Sequence, residues 1–229
     1  EITIRLVGSE MCIRDRFYPR IANEKMNGRV ARLLVAPLLI ALEKTIGSSE
    51  YLQFMKSFKY PLSGEFSFRR NVLSELRISS DWGIEVGVLS EMQRNFSPNN
   101  ICQVDLADTY DHKHQDLSLD DETKGLSKMS IDIIKTFIKK LATQGHSFSK
   151  EQFRSLKATY YREALDLIDA YRNDAQMNGL KFDSHTEEKA VELFAANIMK
   201  AGDAFNQNPM DTPFIPTPRW NKRLSLIHI

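Results

Sequence analysis

The densest polar stretch of the chain is D-T-Y-D-H-K-H (Asp108 to His114), directly after the apolar run I-C-Q-V-D-L. Loops at strand ends are where open α/β sheets bind ligands. On an extended backbone His112 and His114 point the same way. They could then share a divalent transition metal, for which neutral imidazole is a common ligand. Two solvated loop histidines would give the same pattern. Gly28–Arg29, at the start of a helical pattern, offers a second chemistry. Unpaired N–H groups and the helix dipole attract anions there, and Arg29 adds a bidentate phosphate donor. A solvated arginine is the plain alternative. Glu85 is the third candidate. In a first helical turn a carboxylate favours the dipole, or it accepts hydrogen bonds from sugar or substrate hydroxyls. Trp82 is a stacking face or core, and Cys102, inside an apolar strand pattern, reads as packing.

The elements that must position these residues follow from periodicity and caps. Asn27 is read as an N-cap with Gly28 and Arg29 in the first turn. An apolar helix runs from about Val30 to Lys44, kinked by Pro37 and ended by Gly47. A second helix covers Glu50 to Lys56. Phe66 and Phe68 alternate as on a short strand after the turn P-L-S-G, and residues 70–77 form a helical turn. Ile84, Val88, Leu89 and Met92 repeat at helical spacing, which puts Trp82 and Gly83 at that helix's N-terminus. Ile101 to Leu106 is a strand. From Ser118 onwards three amphipathic helices are expected. S-L-D-D caps the first, with Ile134, Phe137, Ile138 and Leu141 inward. Ser149 to Gln152 caps the second, with Phe153, Leu156, Tyr160, Leu167 and Tyr171 inward and Gly179 closing it. Ser184 to Glu187 caps the third, with Val191, Phe194, Ala195 and Ile198 inward and Gly202 at its end. Residues 205–223 read as a tail, and no internal repeat is present.

The 229 residues carry 31 Lys plus Arg against 30 Asp plus Glu, a net charge of +1, and 42% are hydrophobic. That excludes a disordered chain, a collagen-like repeat and a disulfide-stapled miniprotein. The near-neutral balance argues against a polyanion binder, so no nucleic-acid partner is expected. The longest apolar run, Leu33 to Leu42, is too short for a bilayer, which needs about 20 residues, so no membrane partner is expected either. No signal peptide is read at the start. Residues 1–16 contain V-G-S-E-M-C-I-R-D-R, and residues 224–229 read L-S-L-I-H-I; both resemble the translation of sequencing-library adapters. The alternative for the start is a genuine strand, E-I-T-I-R-L-V. Setting the ends aside leaves residues 17–223 with Cys102 as the only cysteine, which fits a reducing compartment.

Taken in order, F-Y-P-R, G-R-V-A-R-L-L-V-A-P-L-L, P-L-S-G-E-F-S-F-R-R, W-G-I-E-V-G-V-L, Q-V-D-L and H-K-H resemble the glucosyl-3-phosphoglycerate synthase family, retaining glycosyltransferases of the GT-A fold. The resemblance is strong over about residues 17–118 and loose beyond. It implies an α/β fold: the C-terminal part of a GT-A (Rossmann-like) core over 17–117, then a mostly α-helical region over 118–204. It implies transfer of glucose from a nucleotide-glucose to the 2-hydroxyl of 3-phosphoglycerate, with Mg²⁺ or Mn²⁺ bound, in a cytoplasmic homodimer that makes a compatible solute. In the family a G-R-V-T loop holds the acceptor phosphate. Gly28 and Arg29 match it, while Ala31 replaces the Thr and removes one hydroxyl. The Y-G-V-E segment lines the sugar and acceptor pocket, and here Trp82 replaces the Tyr while Gly83 and Glu85 are kept. The metal ligand maps to His112, and His114 stands where the family can have an acceptor-binding Asn. Some members carry an Arg where this chain has Tyr110, and Lys113 could supply that charge on the nucleotide side. No nucleophile is assigned.

The family's D-x-D motif for metal and nucleotide is absent from these residues; the near misses are Asp105-x-x-Asp108 and Asp108-x-x-Asp111. The chain is therefore expected to be a fragment that binds nucleotide-sugar poorly and turns over nothing by itself. Two other readings remain: a related GT-A transferase using mannose or unphosphorylated glycerate, which Ala31 keeps open, and a non-catalytic helical interaction module built on 118–204.

Overall fold

In the computed structural model the described residues are 13–17, 21–22, 24–64, 66–68, 70–73, 75–105, 125–209 and 214. A three-stranded sheet has β1 (Ile13–Phe17) at its centre, β4 (Phe66–Phe68) antiparallel on one side and β5 (Ile101–Asp105) parallel on the other. The central strand thus falls mainly in the stretch that resembles adapter translation, whereas E-I-T-I-R-L-V lies outside the described residues. A parallel pair cannot be joined by a tight hairpin. Here the connection from β1 to β5 runs through most of the first half of the chain. A two-stranded hairpin, β2 (Ile21–Ala22) with β3 (Lys25–Met26), precedes the first helix.

That helix begins one residue later than the Asn27 cap predicts. Gly28 has φ +77°, outside the helix, and its carbonyl accepts the Arg32 N–H, so Gly28 occupies the capping position. Only glycine takes this backbone at no steric cost. The first turns, Val30–Val35, are π-helical, and α1 (Ala36–Ile46) continues from them with Pro37 in its first turn. The kink expected at Pro37 is therefore a widened turn just before it, a usual response to a missing N–H. Tyr160 donates its hydroxyl to the Leu33 carbonyl at 2.5 Å. In α-helical geometry an ordinary residue at 37 would have bonded that carbonyl.

The helix α2 (Glu50–Lys56) matches its predicted bounds, with the Ser49 side chain accepting from Leu52 N. After the short α3 (Arg70–Leu73), α4 (Ile84–Asn95) is buried on two sides. Val86 and Leu89 enter the main core, while Val88 and Met92 join Val72 and Leu76 in a smaller cluster that Ile84 packs against. The expected single stripe is thus split between two cores.

Three long helices follow: α5 (Gly125–Thr143), α6 (Lys150–Met177) and α7 (Ser184–Gln207). The inward residues predicted for α5 and α7 are all buried. On α6 the stripe differs: Leu167 is half-buried, and Ala164, Ile168 and Ala175 carry the buried face on from Tyr160. A 3.6-residue period drifts over so long a helix. The Ser149–Gln152 capping box is present in full. The cap of α7 is Asp183, one residue before the predicted Ser184, with its side chain accepting from Thr186 N. Gly202 does not end α7. It lies inside the helix, where an added Cβ would stand 2.7–2.8 Å from the Phe153 ring. The S-L-D-D segment lies outside the described residues.

Candidate functional site

The Gly28–Arg29 segment is held from three directions. The hairpin before it is tied to the turn between α6 and α7, where Lys181 N donates to the Glu24 carbonyl at 2.7 Å. Asp183 then caps α7, and Glu187, one turn further on, points back at the segment. Arg32 donates from Nε to the Asn27 carbonyl at 3.0 Å and from Nη2 to the Met26 carbonyl at 3.2 Å. Its Nη2 also reaches Glu187 Oε2 at 2.9 Å, and its guanidinium lies 4.9 Å from the centre of the Tyr171 ring. Burial pushes the Tyr171 hydroxyl upward in pKa, and the Arg32 charge works against that shift. So Arg32 fixes the backbone that leads into Gly28.

Arg29 differs from Arg32 in kind. Its Nε donates to Glu187 Oε1 at 2.7 Å, and its side chain stays 35% exposed against 13% for Arg32. A guanidinium has a side-on edge at Nε and an end-on edge at the two Nη atoms. Glu187 takes Arg29 through Nε alone, so the end-on edge is not spent on this carboxylate. Ala31 is buried in the π-helical turn. A Thr there would bring its hydroxyl into the same turn.

Trp82, Gly83 and Glu85 form a second group, at the start of α4. Trp82 is 43% exposed, so the choice between core and stacking face resolves towards an exposed ring. Its backbone N is 3.5 Å from Asp132 Oδ2, and that carboxylate also pairs with Lys128 Nζ at 2.8 Å. Gly83 N donates to Asp81 Oδ1 at 3.0 Å, and a Cβ on Gly83 would collide with the Thr136 hydroxyl. Glycine is needed there for close approach of the turn to α5. Glu85 is half-buried, with Oε1 3.5 Å from where a Cβ on Gly64 would stand. The P-L-S-G turn and the W-G-I-E turn therefore face each other.

The structure brings Gly28, Arg29 and Ala31 together on one element, held by α7. It brings Trp82, Gly83 and Glu85 together on another, held by α5. The helices α5 and α7 pack on each other. His112, Lys113 and His114 lie outside the described residues. Among the described residues no group of three His, Cys, Asp or Glu side chains could hold a metal ion. No described helix is long and apolar enough to cross a membrane. Two residues that hold the site were not singled out by the sequence. Glu187 passes in sequence for the last residue of a capping box. Asp132 sits in an ordinary charged helix. The signal for Glu187 is its place on the apolar stripe with Ala190, Val191 and Phe194, where a carboxylate must be paired.

No family model matches the chain. Among curated proteins it is 42% identical over 199 residues to a glucosyl-3-phosphoglycerate synthase of Persephonella marina, covering 87% of this chain and 49% of that protein. It is 38% identical over 214 residues to one of Methanococcoides burtonii, covering 92% of this chain and 52% of that protein. A glucosyl-3-phosphoglycerate synthase of Mycobacterium tuberculosis, solved in complex with Mn²⁺, UDP-glucose and phosphoglyceric acid, is 28% identical with a TM-score of 0.46, over 63% of this chain and 43% of that one. The chain spans about half the length of the curated relatives it matches. Over most of its own length it is homologous to glucosyl-3-phosphoglycerate synthases, as the six ordered motifs led one to expect.

Proposed function

We propose that this chain is the acceptor-binding part of a glucosyl-3-phosphoglycerate synthase, a retaining GT-A glycosyltransferase. Gly28 and Arg29 hold the phosphate of 3-phosphoglycerate, while glucose passes from a nucleotide-glucose to the acceptor's 2-hydroxyl. The observation that carries this reading is the state of Arg29. It is fixed at Nε by a buried carboxylate, its side chain stays partly exposed, and it stands in the first turn of a helix behind a positive-φ glycine. A fixed guanidinium edge beside a helix N-terminus suits a phosphate group in both charge and geometry. The homologous relatives supply the identity of the reaction.

Glu85 orients a sugar hydroxyl, with the exposed Trp82 in the same turn and Gly83 allowing that turn to approach α5 closely. Arg29 positions the acceptor, which lowers the barrier by orientation rather than by covalent chemistry. A divalent cation, Mg²⁺ or Mn²⁺, belongs to this reading, with His112 as its ligand; it supplies charge neutralisation for the leaving diphosphate. In this reading, which the family resemblance supports, His114 would serve the acceptor and Lys113 the nucleotide. The setting is cytoplasmic, and the complete enzyme is a homodimer. The chain alone does not turn over.

In the complete enzyme, Arg29→Ala should raise the KM for 3-phosphoglycerate at least about tenfold, since a charge-assisted phosphate contact is lost. The KM for nucleotide-glucose should stay within about twofold. The buried Ala31 favours one second reading, an acceptor without phosphate. If free glycerate is the better substrate and Arg29→Ala leaves its kcat/KM unchanged, that second reading replaces the first. The same assays with nucleotide-mannose decide the donor sugar.

A further inference from the structure

Glu187 stands 158 residues from Arg29 in sequence, yet its two oxygens each take a different arginine of the same segment. Oε1 accepts from Arg29 Nε at 2.7 Å and Oε2 from Arg32 Nη2 at 2.9 Å. The carboxylate is buried, with its side chain 6% exposed. Arg32 is committed to backbone carbonyls and to the Tyr171 ring. It anchors one side of the carboxylate, which leaves the other oxygen at a fixed place to aim Arg29. An arginine at this exposure otherwise samples many rotamers, and freezing them on ligand binding weakens the binding.

We infer that Glu187, on the helical C-terminal region, is a positioning residue for substrate recognition. It pre-sets the Arg29 guanidinium so that its end-on edge meets an anionic group of the acceptor. The inference rests on the acceptor reading of Arg29 given above. It gives α7 a part in acceptor recognition without any contact to the reacting atoms. It also explains why a charged side chain occupies the apolar stripe of α7, where a Leu or Ala would pack without needing a partner.

The test is a mutant cycle in the complete enzyme: wild type, Arg29→Ala, Glu187→Gln and the double variant, assayed below the lowest melting temperature of the four. Glu187→Gln should raise the KM for 3-phosphoglycerate about tenfold, while kcat and the KM for nucleotide-glucose move less than about twofold. In the double variant the acceptor KM should rise no further than in Arg29→Ala, because the two residues act as one unit. An unchanged acceptor KM in Glu187→Gln, or factors that multiply in the double variant, would overturn the inference. Should the Gln variant fail to fold, Glu187→Asp keeps the charge but shortens the reach, and the same two outcomes decide. An unchanged acceptor KM in Arg29→Ala overturns the acceptor reading itself, and this inference with it. An effect of Arg29→Ala without one of Glu187→Gln overturns the inference alone.

Discussion

Proline at position 37 removes the N–H that would reach the Leu33 carbonyl in α-helical geometry, and Tyr160 supplies a donor from another helix. The Tyr160 hydroxyl is fully buried, and burial holds its pKa well above the ordinary value, so it remains a neutral donor. Tyr160→Phe keeps the ring and removes this donor. It should cost about 1–2 kcal/mol, the usual penalty for an unsatisfied buried acceptor, measured by denaturant unfolding. In a Pro37→Ala background the penalty should shrink, because alanine brings its own N–H to that position; an equal penalty in both backgrounds would refute the account. Asp183 gives a pH prediction at the same scale. Hydrogen bonds from the Thr186 side chain and backbone hold its carboxyl below the usual carboxylate range. A depressed folded-state pKa stabilises above the unfolded value, near 4, and that stability is lost as pH falls through the folded value. Asp183→Asn keeps a capping oxygen without the charge. Its melting temperature should lie below the parent's at pH 5–7, and the gap should close as pH falls below the usual carboxylate range and through the depressed folded-state value. A constant gap across that range would refute the assignment.

At the scale of elements, the crossing of α6 and α7 turns on Gly202, where the Phe153 ring occupies the space of a side chain. Gly202→Ala must push the ring or part the helices, and overpacking of this kind costs about 1–3 kcal/mol. Gly→Ala inside a helix is otherwise favourable by up to about 1 kcal/mol, so a stabilised variant would show that the helices give way freely. The same glycine shows where sequence reading stops. Gly after an apolar run predicts a helix end, and only the partner helix reveals that it marks a close approach. The elements themselves were legible because their signals are local: the Ser149–Gln152 box, the 50–56 helix, the Phe66–Phe68 alternation. The candidate site was proposed from the same kind of signal, since Gly28–Arg29 and Trp82–Gly83–Glu85 are short motifs. Glu187 and Asp132 act across more than 45 residues, and no local pattern encodes such a pairing. The Asp183 cap was missed because Ser184 begins an equally good S-x-x-E pattern one residue later.

At the scale of the molecule, the buried residues argue against two independent halves. One continuous cluster runs from Val30 to Ala201, through α1, α2, α4 and all three long helices. Leu33, Leu34, Leu38 and Leu42 are fully buried, and α1 packs along α6 and the π-helical turn against α7. The apolar stripes of α5, α6 and α7 are thus covered by one another and by the first half of the chain. A free interaction module would instead keep one face for a partner. Residues 118–204 produced alone would lose the four leucines, each worth about 1.5–3 kcal/mol when buried, and would leave Tyr160 without the Leu33 carbonyl. That loss is comparable to the whole stability of an ordinary domain, about 5–15 kcal/mol. The isolated segment should therefore keep helical circular dichroism but melt without cooperativity and bind a hydrophobic dye. The full chain should melt in one transition. A cooperative transition of 118–204 at the temperature of the longer chain would mean that its core closes without α1, and it would return the helical module to first place among the readings of this chain.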